Sequence, residues 1–174
     1  GPTATEGWSF VASLLAGARP WEGAALVVQP EWADGHGAPN VSGISGYLDG
    51  NIIRVSKVGT APYVARAFFH QDLALGPAGE REAEEAENPE AGLMPTGPSA
   101  FGPRPASRVE ITAGKLALTD FFDSASGSSD PRHRFLNWAL MTNGAWDFAA
   151  DTRGYDWGVV VALEQPRWAL RAGF

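Results

Sequence analysis

The most restrictive feature of this sequence is an alternation of apolar and polar residues with a period of two. It recurs in six segments, 7–16, 24–33, 63–75, 108–119, 154–164 and 168–174. Successive side chains of a β-strand point to opposite faces, so this period predicts strands and argues against helices. In the third segment, Arg66, His70 and Asp72 fall on one face and Phe69 and Leu73 on the other. We therefore predict an all-β chain.

The connections between these segments predict their order in space. Short turns at 17–23 and 165–167 join neighbouring segments into hairpins, which makes the sheet an antiparallel meander. The long connections 34–62 and 120–153 then fall on the opposite side of the sheet from the short turns. The chain has 21 glycines and 13 prolines among 174 residues, which suits a turn-rich β protein. The long segment 76–107 is the exception, since it lies on the side of the short turns.

Most of the long segment 76–107 has a distinct composition. Residues 77–107 are first acidic and then rich in proline and glycine, and we predict a disordered insertion there. Its acidic run consists of Glu80, Glu82, Glu84, Glu85, Glu87 and Glu90. A weak strand at 51–55 and a short helix at 131–141 are predicted within the long connections.

Two architectures accommodate alternating antiparallel strands: a soluble sandwich, and an outer-membrane barrel with its apolar face turned to lipid. The barrel is favoured by strand length, by the mid-strand charges Arg66, His70 and Arg171, and by aromatic residues near strand ends. The predicted aromatic girdle consists of Trp8, Trp32, Tyr155, Trp157 and Trp168. About six strands are too few to close a pore. We therefore expect residues 1–174 to be part of a larger transmembrane β-barrel.

Several stretches resemble one known family. ITAGKLALTDFFD at 111–123, DPRHRFLNWALMTNGAWDFAADTRGYDWG at 130–158 and LEQPRWALRAGF at 163–174 are similar to segments of the carbohydrate-selective porin (OprB) family. YVARAFFHQDLALG at 63–76 and WEGAALVVQPEWADGHG at 21–37 resemble further strands of that family. The resemblance covers nearly the whole chain except 77–107. It implies a bacterial outer-membrane location, a barrel of roughly sixteen strands, and passive diffusion of sugars or other small polar solutes.

The connection 120–153 carries mixed charges, amides and aromatic residues, which suit contact with sugar hydroxyls and ring faces. Because such a segment cannot rest against lipid, we expect it to fold inward and narrow the pore. The predicted pore-lining residues are Arg66, His70, Asp123, Arg132, Arg134, Asn137, Asp147, Arg153 and Arg171.

Other functions have little support in the sequence. There is no cysteine, and His36, His70 and His133 are scattered, so we expect no enzyme activity, cofactor or metal site. The net charge of −7 argues against nucleic-acid binding. It mildly favours one alternative, a divalent-cation porin of the manganese type. The other alternative is a soluble sugar-binding β-sandwich. The expected partners are small solutes and outer-membrane lipid, while the sequence does not determine the oligomeric state.

Overall fold

The computed structural model describes residues 7–36, 61–76, 80–81, 104–122, 149–151 and 153–174. This part of the chain contains no α-helix, only a 3-10 turn at Leu118–Asp120. The strands are β1 (Trp8–Ser13), β2 (Ala16–Ala18), β3 (Ala24–His36), β4 (Tyr63–Ala74), β5 (Glu80–Arg81), β6 (Arg104–Pro105), β7 (Arg108–Leu116), β8 (Asp156–Gln165) and β9 (Trp168–Gly173).

The main sheet has the order β1-β3-β4-β7-β8-β9, with β2 also paired to β3. Every pairing in it is antiparallel. The sheet is open, since β1 and β9 form its two edges in the described part of the chain. The prediction of an all-β antiparallel meander is therefore confirmed. The small strands β5 and β6 form a separate two-stranded ribbon.

The connections divide between the two ends of the sheet as the sequence predicts. One end, the short-turn edge, holds the turn that leads into Ala24 and the two-residue turn between Gln165 and Trp168. At the other end, the long-connection edge, β3 ends and β4 begins, and β7 ends and β8 begins. The connection from β4 to β7 leaves and returns at the short-turn edge, where its ends pair as β5 and β6.

Some predictions fall on residues that the structure does not describe. The weak strand at 51–55 and the helix at 131–141 lie outside the described ranges. So does most of the predicted disordered insertion, of which only 80–81 and 104–107 are described.

Pro30 explains an interruption at one edge of the sheet. The register of β1 and β2 on β3 is continuous, since Ser13 pairs with Glu31 and Ala16 with Val28. Between them the Leu14 amide donates to the Pro30 carbonyl at 3.1 Å, but proline has no N–H to return the bond. On its other side, the pairing of β3 with β4 shifts register between Gln29 and Pro30. A bulge is one of the few places where an inner strand tolerates proline.

An antiparallel sheet commonly buries its apolar face and exposes its polar face, and in this sheet the reverse holds. The apolar face is exposed, with Trp157 at 73% and Leu170 at 67% of full accessibility. The polar face is shielded, with His70 at 2% and Thr112 at 1%. The exposed large side chains of the apolar face include Trp8, Leu26, Val28, Trp32, Val64, Leu73, Trp157, Val159, Trp168 and Leu170. The buried polar side chains are Gln29, Glu31, Arg66, His70, Glu110 and Thr112.

A small apolar cluster on the polar face provides much of this shielding. Val27, Phe68, Leu116 and Val160 are buried together, and the chain after β7 folds back across them. The side chains packed onto the cluster are Leu15, Leu118, Phe121 and Phe122. A side chain at Gly173 would meet the Phe122 ring at 3.2 Å, so glycine makes room for this turn on the last strand.

Gly114 provides a test of the central register. Its φ is +140°, and an added Cβ would lie 2.4 Å from the Ala67 carbonyl oxygen and 2.7 Å from the Phe68 Cα. Gly114→Ala should therefore lower the free energy of unfolding by about 2–4 kcal/mol, measured by urea denaturation. Gly76→Ala is the matched control, because Gly76 has φ +99° with no atom within 4 Å of the added Cβ. It should cost about 1 kcal/mol, from backbone strain alone. Equal losses for the two variants would contradict the close β4–β7 packing.

Candidate functional site

The first group of polar-face side chains, the Arg66 cluster, lies toward the long-connection edge. Arg66 Nε and Nη2 donate to the two Asp120 carboxylate oxygens at 2.7 and 2.8 Å. Arg66 Nη1 donates to Gln29 Oε1 at 2.9 Å. Both charged side chains are about nine-tenths buried, at 10% and 9% accessibility. The pair therefore fixes the 3-10 turn to the wall of the sheet.

Aromatic rings extend the Arg66 cluster. The Tyr63 hydroxyl donates to Glu31, whose other carboxylate oxygen accepts from Ser13 Oγ at 2.7 Å. The Arg153 guanidinium lies 3.6 Å from the centre of the Tyr63 ring, and the Arg66 guanidinium lies 5.1 Å from that of Tyr155. Cations over aromatic faces are stabilised by the ring quadrupole. The cluster thus combines guanidinium, carboxylate, amide and phenol groups on one surface.

The second group, the His70 cluster, lies toward the short-turn edge. Asp72 accepts from Arg104 Nε and Nη2, both at 2.8 Å, and its Oδ1 lies 3.0 Å from His70 Nε2. Arg104 also contacts Glu110 Oε1 at 2.7 Å, and that atom accepts from Arg108 Nε at 2.8 Å. Two carboxylates thus face two guanidinium groups, so this cluster is close to charge balance.

Through Arg104, the His70 cluster joins the β5–β6 ribbon to the main sheet. Arg104 belongs to the β5–β6 ribbon, whereas Asp72 and Glu110 belong to the wall strands β4 and β7. The guanidinium therefore ties the end of the β4–β7 connection to the polar face. Partial burial would lower the pKa of Arg104, but hydrogen bonds and ion pairs with Asp72 and Glu110 outweigh it and raise the pKa. Arg104 therefore stays charged.

A third, more open pair lies on the last two strands. Arg171 donates from Nε to Glu164 Oε1 at 2.9 Å, and its Nη2 lies 2.7 Å from the same oxygen. The accessibilities are 40% for Arg171 and 13% for Glu164. This pair is therefore more solvated than the Arg66–Asp120 and Arg108–Glu110 pairs.

The structure brings the described members of the predicted pore-lining set to one face. Arg66, Arg153 and Arg171 lie on the polar face or contact a ring on it. His70 is also there, but it is 2% exposed and its Nδ1 lies 2.8 Å from Thr112 Oγ1. It therefore belongs to the wall rather than to a solute-accessible surface. The remaining predicted residues, Asp123, Arg132, Arg134, Asn137 and Asp147, lie outside the described ranges.

The sequence pattern did not identify most partners of these residues. Glu31, Asp72 and Glu110 follow the alternation, so their face could be assigned from the sequence. Tyr63 does not: the alternation predicts it on the face of Phe69, but the register shift between β3 and β4 brings it to the polar face against Glu31. The hydrogen-bond partners of all four residues depend on strand register, which a single sequence does not determine. Arg104 gave no such signal, because it lies within a segment predicted to be disordered.

The predicted girdle tryptophans form two rows on the apolar face. Trp8, Trp32 and Trp157 lie toward the long-connection edge, where the Phe10 ring is stacked on Trp8 and edge-on to Trp32. Trp168 lies at the short-turn edge opposite Gln165. Trp21 joins this second row, with its Nε1 donating to Gln71 Oε1 at 2.7 Å. Tyr155 differs from the prediction: it precedes β8, and its ring lies beneath Arg66 instead of among the tryptophans.

One charged pair lies at the rim of the apolar face. Lys115 shares its register position with Ala67 and Trp157, and its Nζ reaches Asp151 Oδ2 at 3.3 Å. Partial burial would raise the Asp151 pKa. Backbone N–H groups of Tyr155 and Arg153, together with Lys115, outweigh that effect and lower the pKa. Asp151 is therefore ionised, and the lysine reaches past the strand end to meet it, as long basic side chains do at apolar surfaces.

Comparisons with known proteins give no independent assignment. No protein-family model, no curated protein and no solved structure matches this chain. Within the described ranges, no group of three or more acidic or histidine side chains is placed to hold a metal ion. In those ranges, too, no helix has the length and apolar character needed to cross a membrane.

The Arg66–Asp120 pair provides the test of this site. Asp120→Ala leaves a buried guanidinium without its counter-ion, and should lower the free energy of unfolding by about 3–5 kcal/mol. Glu164→Ala is the matched control, because it breaks the more exposed pair with Arg171 and should cost at most about 1 kcal/mol. Urea denaturation followed by tryptophan fluorescence measures both. If Asp120→Ala costs no more than the control, the turn is not held to the sheet by this pair.

Proposed function

We propose that this sheet is part of the wall of an outer-membrane β-barrel, whose polar face lines a pore for sugars or other small polar solutes. The observation that carries the proposal is the inverted burial of the two faces. Large apolar side chains are exposed on one face, while ionised and hydrogen-bonding side chains are shielded on the other. This is the alternation of a strand with lipid outside and an aqueous lumen inside.

The apolar face has the dimensions of a band within a bilayer. Eight positions of β8 separate Trp157 from Gln165, the register partner of Trp168. At about 3.3 Å per residue the two tryptophan rows are about 26 Å apart along the strand. A tilt of about 40° reduces this to about 20 Å, comparable with the apolar band of about 25 Å in outer-membrane barrels. The two rows then match the aromatic girdles at the two interfaces.

A soluble sandwich is less compatible with this surface. A sandwich covers its apolar faces with a second sheet about 10 Å away. The described residues supply no such layer, because the main sheet is single and the β5–β6 ribbon lies beside the polar side chains of β4 and β7. A continuous apolar surface of this extent in water would promote association. Lipid acyl chains cover such a face completely and leave none of its large apolar side chains in water.

The chemistry of the polar face supports a polar solute. The half-buried Arg153 and Tyr155 and the 40% exposed Arg171 offer charged and aromatic groups on this face. Gln29, Glu31 and Arg66 are buried in the wall beneath them, as His70 is, and hold the face in shape. Sugar hydroxyls are bound by such groups, and sugar ring faces stack on aromatic rings. The resemblance of the sequence to carbohydrate-selective porins points to the same class of solute.

The described ends of the β7–β8 connection support an inward path. Leu118 and Phe122 pack on the polar-face cluster after β7, and Arg153 lies over Tyr63 before β8. A connection that starts and ends on the polar face is suited to narrowing a pore. For the residues between these ends, the narrowing of the pore stays a prediction.

Flux measurements on the full-length protein test the proposed function. Liposomes containing the protein should swell in isotonic solutions of neutral sugars, faster for smaller sugars, because an aqueous pore selects by size. Protein-free liposomes are the control. Swelling no faster than in that control, with no conductance in planar bilayers, would contradict the proposal. High conductance for Mn²⁺ with no sugar permeation would favour the divalent-cation alternative.

A charge substitution tests which face lines the pore. Arg153→Gln removes a cation from the polar face and should shift the ion selectivity of the pore toward cations. Lys115→Gln is the matched control, because it removes the same charge from the rim of the apolar face. We expect a measurable change in reversal potential across a salt gradient for Arg153→Gln and none for Lys115→Gln. The opposite order would mean that the two faces are reversed.

A further inference from the structure

The two turns at the short-turn edge share a combination of residues. The first contains Arg19, Pro20 and Trp21, and the second contains Pro166 and Arg167 followed by Trp168. In each turn an exposed arginine lies one or two residues from an exposed tryptophan of the apolar face. The two turns are far apart in sequence and come from different hairpins, so they show the same juxtaposition independently.

The first turn is held firmly against the sheet. The Trp21 ring lies 5.9 Å from that of Phe69, and its Nε1 donates to Gln71 at 2.7 Å. The Asp72 amide donates to the Gly23 carbonyl at 2.7 Å, and an added Cβ at Gly23 would lie 2.4 Å from the Asp72 carbonyl oxygen. Arg19 is therefore presented from a fixed turn.

The second turn is as short as a hairpin allows. Gln165 and Trp168 are register partners, so Pro166 and Arg167 alone form the connection. Trp168 lies on the same face as Leu170, next to the turn, and is 56% exposed. Arg167 is therefore held beside the end of the apolar band.

Charged side chains at the two ends of the sheet differ in what they bind. At the long-connection edge, Asp151 and Asp156 each accept a backbone N–H, from Arg153 and from Trp157 respectively, at 2.8 Å. At the short-turn edge, neither Arg19 nor Arg167 forms a hydrogen bond or ion pair with any described residue. The exposed Glu22 carries a charge equal and opposite to that of Arg19 in the first turn, and the acidic run from Glu80 to Glu90 belongs to the connection that leaves the same edge. Phosphate binding here therefore depends on the hydrogen-bond donors of the two guanidinium groups and not on a net positive charge of the edge.

We propose that Arg19 and Arg167 bind the phosphate groups of anionic glycerophospholipids in the leaflet at the short-turn edge. A guanidinium matches the geometry of phosphate oxygens, and each arginine lies beside a tryptophan at the level where headgroups meet acyl chains. The short turns of outer-membrane barrels face the periplasm, where the leaflet consists of glycerophospholipid. The proposal rests on the proposed function and adds which leaflet the protein recognises, and by which residues.

Lipid selectivity of the full-length protein in vesicles provides the test. Spin-labelled phosphatidylglycerol and spin-labelled phosphatidylcholine are compared for the fraction immobilised at the protein surface. We expect the wild-type protein to prefer phosphatidylglycerol. Each of Arg19→Gln and Arg167→Gln should reduce that preference about fivefold, and the double variant about 25-fold. Arg171→Gln is the matched control, because its guanidinium is paired with Glu164 on the polar face, and it should leave the preference unchanged.

The outcomes separate this inference from the proposed function. If the double variant retains the wild-type preference, or if Arg171→Gln reduces it equally, phosphate binding by the two turns is overturned. If the double variant instead weakens the binding of lipopolysaccharide and leaves that of phosphatidylglycerol unchanged, the assigned leaflet is wrong and the inference fails. If no spin-labelled lipid is immobilised by the wild-type protein, the membrane location itself fails, and with it the proposed function.

Discussion

The register of the antiparallel pairings decides where every functional side chain of this protein lies. Register partners share a face, so the rows across β3, β4, β7 and β8 stack polar residues on polar and apolar on apolar. A shift of one residue in any strand would exchange its faces, placing charges in the apolar band. The bulge beside Pro30 breaks the alternation within β4 and still pairs like with like. Pro30 pairs with the exposed Val64 and Glu31 with Tyr63, so Val64 lies on the apolar face and Tyr63 on the polar face.

The polar face is built to keep its charges in place despite their burial. The Arg66 cluster and the His70 cluster each pair guanidinium groups with carboxylates, and the apolar cluster around Phe68 lies between them. Breaking such a pair leaves an uncompensated charge away from water, so the pairs favour one arrangement of the connections over its alternatives. The two clusters also fix the connections at the two ends of the sheet. The Arg66 cluster holds the turn after β7, and the His70 cluster holds the β5–β6 ribbon that precedes β7.

The fold could be predicted from the sequence further than the site could. Alternation in segments such as 63–75 assigned the faces of Arg66, Phe69 and His70, because strand geometry fixes side-chain direction with a period of two. It failed for Tyr155, which precedes the regular part of β8 and turns toward Arg66. It also failed for Tyr63, which lies beyond the register shift of β3 on β4 and faces Glu31.

Long-range pairing explains the rest of what the sequence did not reveal. Arg104 binds Asp72 across 32 positions of sequence, and Arg66 binds Asp120 across 54. No local pattern encodes these distances. The alternation over 108–119 predicts a strand to residue 119, whereas β7 ends at Leu116 and a 3-10 turn follows at Leu118–Asp120. This turn, too, is held by a long-range pair, Arg66 with Asp120.

The measurement that tests the central claim most directly is a scan of β8 for contact with lipid. A fluorophore is attached to single cysteines at positions 157 to 164 of the full-length protein in vesicles, and nitroxides on the acyl chains act as quenchers. Since Trp157, Val159, Val161 and Leu163 share the apolar face, quenching should be strong at odd positions and weak at even ones. Quenching at even positions only would mean that the faces are reversed, and uniformly weak quenching would mean that the apolar face meets protein and not lipid.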